Sequence, residues 1–481
     1  MKRFLVALGI VMAMCFSIVP NAAFAASAYQ TPFSVSITYQ NVGSAVATVN
    51  VSFFAENNGT AQNFSAGTLA AGASASLSVG TAITSGSFKG SAVLSSDQPV
   101  IATIVQLDAT GGVKNRPLSN GFGAADGAAK QLVATVLKNQ FSSSTIFSVQ
   151  NTESSAVNVT VKYYAIGAST PTATAGVNNL PAGAAKYFDV GTIAQLPNGF
   201  NGSAVVTAVL SSNPSTAAKI VATVNELSTT DGGSKSFEGT SQSGAKVFMP
   251  SALCNAFGGQ STAYAVQNAG TSSVTFNVRY KQTGKADLID GPYTIGAGGK
   301  QSISGCNKLP AGGNGSAIIE STTTSGQLVA VGKVTGANIT SAFLGVVQGN
   351  GSAKVALPYV RWASDSNVNQ DQRTSIAIQN IGSAAATNVT VKFIDRNGVV
   401  KGTHTIGTIA AGAKTSSNPS LGNALDACGR FGIYGDGCAS AQFGGGAIVT
   451  ADSGAQLAVI VRIYTGSPIL AGEDYNGINV Q

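Results

Sequence analysis

The dipeptide Gln-Asn closes an alternating apolar run four times, at Gln40-Asn41, Gln150-Asn151, Gln267-Asn268 and Gln379-Asn380. Successive asparagines stand 110, 117 and 112 residues apart. In each copy the residues four and two positions before Asn are large and apolar or aromatic: Ile37 and Tyr39, Phe147 and Val149, Tyr264 and Val266, Ile376 and Ile378. Alternation with period two places such residues on one face of a β-strand and sends the others to the opposite face. A repeat this long is not the short stacking unit of a solenoid. It is long enough for each copy to bury a core of its own, which argues for four domains over one large β-solenoid or barrel.

The rest of the repeat has the same texture. A second strand follows, as Val49 to Phe53, Val159 to Tyr163, Phe276 to Tyr280 and Val389 to Phe393. Then comes a Leu/Ile-x-Ala-Gly turn at Leu69, Leu180, Ile295 and Ile409. Gly-Ser-Ala opens a later strand at Gly90, Gly202 and Gly315, and the fourth copy departs with Gly446-Ala447-Ile448. Short alternating strands between Gly, Pro and Asn turns, with no amphipathic helix, indicate an all-β protein of four tandem immunoglobulin-like (Ig-like) β-sandwich domains. Their expected bounds are 26–112, 128–234, 244–345 and 352–470. Within the stretch Thr374–Asp395, Asn380 keeps the parity of the core positions, so it is expected to cap its turn from within. Unit one has only Ala26 to Gln30 ahead of its first core strand, so its opening strand is short or missing. Tyr475-Asn476-Gly477 reads like the linkers at Phe237-Glu238-Gly239 and Phe343-Leu344-Gly345, which makes 471–481 a C-terminal tail.

Residues 1–25 pair a basic start, Lys2 and Arg3, with an apolar centre and the small-residue site Ala23-Phe24-Ala25. This is the pattern of a cleaved signal peptide, and no second stretch is apolar and long enough to span a bilayer. The chain carries +7, of which Lys2 and Arg3 supply two, leaving +5 after cleavage. No basic run or basic–aromatic cluster accompanies that mild charge, so nucleic acid is not an expected partner. Outside the leader, Cys254, Cys306, Cys428 and Cys438 form an even set in an exported chain. Two fall in unit three and two in unit four, so the expected disulfides are Cys254–Cys306 and Cys428–Cys438. Their spacing matches no zinc motif. Unit four also carries an insertion between Gly412 and Gly446, and its two cysteines lie there.

Catalytic machinery is sparse. His404 is the one histidine, and a Ser-His or Cys-His site needs a base held by a third group. The acids are scattered, with no obvious glycosidase pair. Asp365 to Asp371 spaces oxygen ligands as a calcium loop begins, but it lacks the glycine at the sixth position, and Ile376 stands where the bidentate Glu belongs. No catalytic residue, cofactor or metal is therefore expected. Phe53-Phe54 and Tyr163-Tyr164 turn one aromatic inward and one outward, and the outward ones suit either a sugar ring or a domain interface.

The run ending in Gln-Asn, the Gly-Ser-Ala that follows it in unit four, Val-x-Val-x-Phe/Tyr and the Leu/Ile-x-Ala-Gly turn together resemble the bacterial cell-adhesion-related (CARDB) repeats, most closely from Ile376 to Gly412. The resemblance implies extracellular adhesion or scaffolding and supplies no catalytic residues. The expected function is thus a secreted or cell-surface structural or adhesion protein, not an enzyme, acting as stalk, scaffold or filament component. Its expected partners are other surface proteins or further copies of itself. A carbohydrate-binding accessory protein is the alternative, with glycans as partners and Tyr164 as a candidate contact.

Overall fold

The structure, a computed structural model, describes residues 33–84, 86–108, 115–228, 232–336, 339–363, 372–425, 442–465 and 471–480. Unit two shows the full plan. Its eight principal strands are Lys130–Lys138, Ser143–Asn151, Val157–Ala165, Ala173–Leu180, Ala185–Asp189, Phe200–Leu210, Ile220–Ser228 and Ser234–Glu238. One antiparallel sheet runs in the order fifth, second, seventh, eighth, and the other runs fourth, third, sixth, first. The expected alternation holds: Val157, Val159, Val161 and Tyr163 face the core and are fully buried. Each such side chain contributes about 1.5–3 kcal/mol on leaving water.

Unit three repeats the plan from Lys246–Cys254 to Ile339–Leu344, and unit four repeats it from Lys354–Ala363 to Ala471–Asn476. In unit four the first and second strands also pair with each other at Trp362↔Arg373, which joins both sheets into one of nine strands. Unit one has the first sheet complete. Its second sheet holds only Ala61–Leu69, Ala47–Ala55 and Gly90–Ser96, with no first strand among the described residues.

The β-sandwich reading therefore stands, with a difference in strand order. The pairing of the second strand with the fifth, and of the third with the sixth, keeps the neighbour relations of an immunoglobulin fold. The margins do not: the first strand sits beside the sixth, and the seventh sits beside the second. Three sequence readings also change. The segments Phe237-Glu238 and Phe343-Leu344 are not linkers but belong to eighth strands, bonded to the seventh strand of their own unit. In the same way 471–480 is no free tail: Ala471–Asn476 pairs with Leu457–Thr465, and Ile478–Asn479 pairs with the first strand of unit four. Boundaries at 112 and 470 thus fall ahead of strands that complete the unit behind them, and the boundary at 234 falls on the first residue of one. Finally, pairing of Ile394 with Gly446 shows that Gly445-Gly446-Ala447 is the true counterpart of Gly-Ser-Ala.

The four units close on themselves. The first strand of unit two lies against the second and seventh strands of unit three. Unit three meets unit four in the same way, and unit four meets unit one. The eighth strands form a central column in which each touches the next, and Ala471–Asn476 returns to Leu118–Asn120. Arg116 and Glu473 are bonded across that closing contact at 2.7 Å.

Candidate functional site

Residues singled out for chemistry are spent on structure. Cys254 and Cys306 are joined, tying the first strand of unit three to the 3-10 turn Gly305–Asn307. Lys138, at the equivalent place in unit two, makes the same tie without a covalent bond, donating to the Ile193 carbonyl at 2.7 Å. Cys428 and Cys438 lie outside the described residues, as do the leader and Asp365–Asp371. The His404 Nδ1 sits 2.9 Å from the Ser417 hydroxyl, and Ser417 is fully buried, so this pair joins two strands and presents no open nucleophile. Among the described residues no group of three or more His, Cys, Asp or Glu could hold a metal, and no helix is long and apolar enough to cross a membrane.

The four motif asparagines share one hydrogen-bond set. Asn380 donates to the carbonyls of Ala384 at 2.8 Å and Ile409 at 2.9 Å, and accepts from the Gly382 amide at 2.9 Å. Asn41, Asn151 and Asn268 repeat it at equivalent residues. Each side chain thus caps its own turn and clamps it to the Leu/Ile-x-Ala-Gly turn. The preceding glutamines donate to the turn glycine of their own unit: Gln40 to the Gly72 carbonyl at 3.1 Å, Gln150 to Gly183 at 3.0 Å, and Gln267 and Gln379 to Gly298 and Gly412, both at 3.3 Å. Gln267 of unit three donates to the Ala204 carbonyl of unit two at 3.1 Å.

The outward residue after each core aromatic packs on the next unit. Phe54 covers Gly183, Tyr164 covers Gly298, Lys281 reaches Gly412 and Ile394 lies over Gly72. Those four glycines are the last residues of the Leu/Ile-x-Ala-Gly turns, with φ of 72–74°. The left-handed backbone favours glycine at all four, and at Gly183 and Gly298 the neighbouring ring also leaves no space for a side chain. A Cβ at Gly298 would stand 2.7 Å from the Tyr164 ring. The hydroxyls of Ser91 and Ser203 in Gly-Ser-Ala donate to the carbonyls of Gly183 and Gly298, both at 2.7 Å. In unit four the serine gives way to Gly446, where a Cβ would fall 2.8 Å from the Gln40 amide of unit one.

One position distinguishes the four seams. Gln106 and Asn225 exchange two amide hydrogen bonds of 3.2 Å between units one and two. At the same place between units two and three, Glu226 meets Lys333 at 2.5 Å. Between three and four stand Val334 and Arg462, the arginine turned to Asp474 of its own unit. Between four and one, Ile463 and Val105 share an apolar cluster. The four seams thus differ in chemistry: an amide pair, an ion pair, an arginine paired within its own unit beside a valine, and an apolar contact.

Buried charge concentrates in these seams and the column. Burial opposes ionisation of Glu226, but Lys333, Lys235 and Lys300 outweigh it and hold its carboxyl below the usual range. Burial lowers Lys300 well below an ordinary lysine. Its ammonium donates to Thr135 at 3.0 Å and Asn201 at 2.5 Å, both in unit two. Lys414 is pushed down to about 8 by burial and by Arg462, and donates to the Gly315 carbonyl. In the column the Glu238 carboxylate accepts from the Asn120 amide, and burial pushes it up to about 6. At the equivalent place in unit four, Asn476 accepts from the Leu344 amide at 2.8 Å and donates to its carbonyl at 2.7 Å. Asn115 crosses the column, donating to the carbonyls of Ser234 in unit two and Thr340 in unit three.

Two exposed aromatics were not anticipated from the sequence. Phe141 and Phe257 occupy equivalent loops between first and second strands, 71% and 65% exposed, with φ of 51° and 49°. Each loop is pinned by an asparagine: Asn139 by Ser144, and Asn255 by Ser261. The parallel Lys-Asn-Gln-Phe and Cys-Asn-Ala-Phe was the available signal. No family model matches the chain, and no match was found among curated proteins.

Proposed function

We propose that this chain is a secreted or cell-surface structural protein whose four sandwiches act together as one rigid scaffold or adhesion module. The observation that carries the reading is the use of the repeated motifs. Gln-Asn, Gly-Ser-Ala and the turn glycines lock each unit and seat it on the next, so the repetition serves assembly of the body. A closed ring does not extend as a string of beads does, which favours a scaffold over a flexible stalk. Gold-labelled antibody on intact cells of the source organism, viewed by negative-stain microscopy, tests it. Surface label on discrete compact particles is expected, and label confined to the cell interior overturns the proposal.

The carbohydrate-binding reading keeps one observation in its favour, moved from Tyr164 to other residues. Tyr164 is occupied by Gly298, whereas Phe141 and Phe257 stand out from rigid loops with φ values bulky residues rarely adopt. Exposed aromatic faces of this kind stack on sugar rings. Glycan-array binding that disappears in F141A/F257A would favour it over the scaffold reading.

A further inference from the structure

In units two, three and four the first strand seals the sandwich. It hydrogen-bonds to the free edge of the sixth strand and lies in the seam against the following unit. Unit one has no such strand among the described residues, and its core shows the lack. Ala204 and Val206 of unit two are fully buried, as are Ala317 and Ile319 of unit three and Ala447 and Val449 of unit four. Their counterparts Ala92 and Leu94 are only half-buried, and Val93 between them is 42% exposed. Val100 and Ala102 of the seventh strand are half-buried too, whereas Ile220 and Ala222 are covered completely. The edge of Gly90–Ser96 pairs only with Ala47–Ala55 among the described strands.

Sequence register places the counterpart segment outside the described residues. Lys130 precedes Asn151 by 21 positions, and the same step back from Asn41 reaches Pro20. The missing strand would span residues 20–28, which the expected leader cleavage after Ala25 cuts through.

We propose that unit one of the mature protein is a strand acceptor, completed by an extended segment of a partner polypeptide. That segment adds to the edge of Gly90–Ser96 and covers Ala92, Leu94 and Ala102. Main-chain hydrogen bonds to an open sheet edge supply the affinity, and alternate side-chain pockets supply the selectivity. The three sibling strands define the chemistry that fits: a leading lysine followed by a mostly apolar extended run, as in Lys130–Lys138. The slot continues the seam between units one and two, where the sibling strands lie in the other three seams. It is separate from the Phe141 and Phe257 loops and does not depend on the scaffold reading.

The probe is a synthetic peptide with the sequence of Lys130–Lys138, added to the chain beginning at Ala26. Saturable one-to-one binding is expected by calorimetry, together with new amide-exchange protection across Gly90–Ser96. A second variant replaces residues 26–32 with a copy of Lys130–Ser142, filling the slot in cis. It is expected to lose peptide binding and to melt at a higher temperature. Absence of saturable binding, or equal binding by the filled variant, overturns the proposal. The second outcome would place the peptide in unit two by strand exchange.

Discussion

Single residues hold each unit together at its turns. Asn380, buried among apolar neighbours, satisfies two carbonyls and one amide at once. Asn380→Ala leaves those groups without partners in a dry site and is expected to lower the unfolding free energy by roughly 2–4 kcal/mol, read by urea denaturation. Parity alone made this role legible, since an asparagine in phase with Ile376 and Ile378 had to point inward. The outward position was harder to read. Phe54, Tyr164, Lys281 and Ile394 do one job with four side chains, so no residue pattern marks it. Gly298→Ala meets both a left-handed φ and the Tyr164 ring. A loss of at least about 1–2 kcal/mol is expected in thermal melts, with Y164A/G298A losing less than the sum of the two single variants.

At the scale of elements, the strands were legible and their assignment to units was not. Alternation located the core strands of every repeat. The eighth strands were mistaken for linkers because they are short and run into a glycine, as at Glu238-Gly239 and Asn476-Gly477. Each pairs as a hairpin with the strand just before it in the same sheet, and its three to six residues are too few to display a clear alternation. The eighth strand of unit two also brings a titratable group into the column. Burial raises Glu238 to about 6 from an ordinary value of 4.5, so the folded state binds its proton more tightly than the unfolded chain does. That contribution is full below pH 4.5 and is lost as pH rises through 6. Acidification from pH 7.5 to 4.5 is expected to add about 2 kcal/mol from this group, and Glu238→Gln should remove that increment from the stability profile. In unit three the Cys254–Cys306 bridge closes a loop of 52 residues. C254S/C306S is expected to lose about 2–4 kcal/mol in denaturation, with the fold retained because Lys138 holds the same junction in unit two by a hydrogen bond.

At the scale of the whole molecule, four units are joined head to tail into a ring. Closure depends on residues such as Arg116 and Glu473, 357 positions apart, and on a last strand that returns to the first unit. No repeat motif encodes that contact, and the sequence alone is equally compatible with a string of domains. At the seams Gln106 meets Asn225, Glu226 meets Lys333 and Val105 shares an apolar cluster with Ile463, whereas Arg462 is paired within its own unit. The most direct test of closure is the radius of gyration of the purified chain, measured by small-angle X-ray scattering. A compact body of this length gives about 22–25 Å. Four sandwiches strung end to end give roughly twice that radius, and such a value would contradict the closed ring.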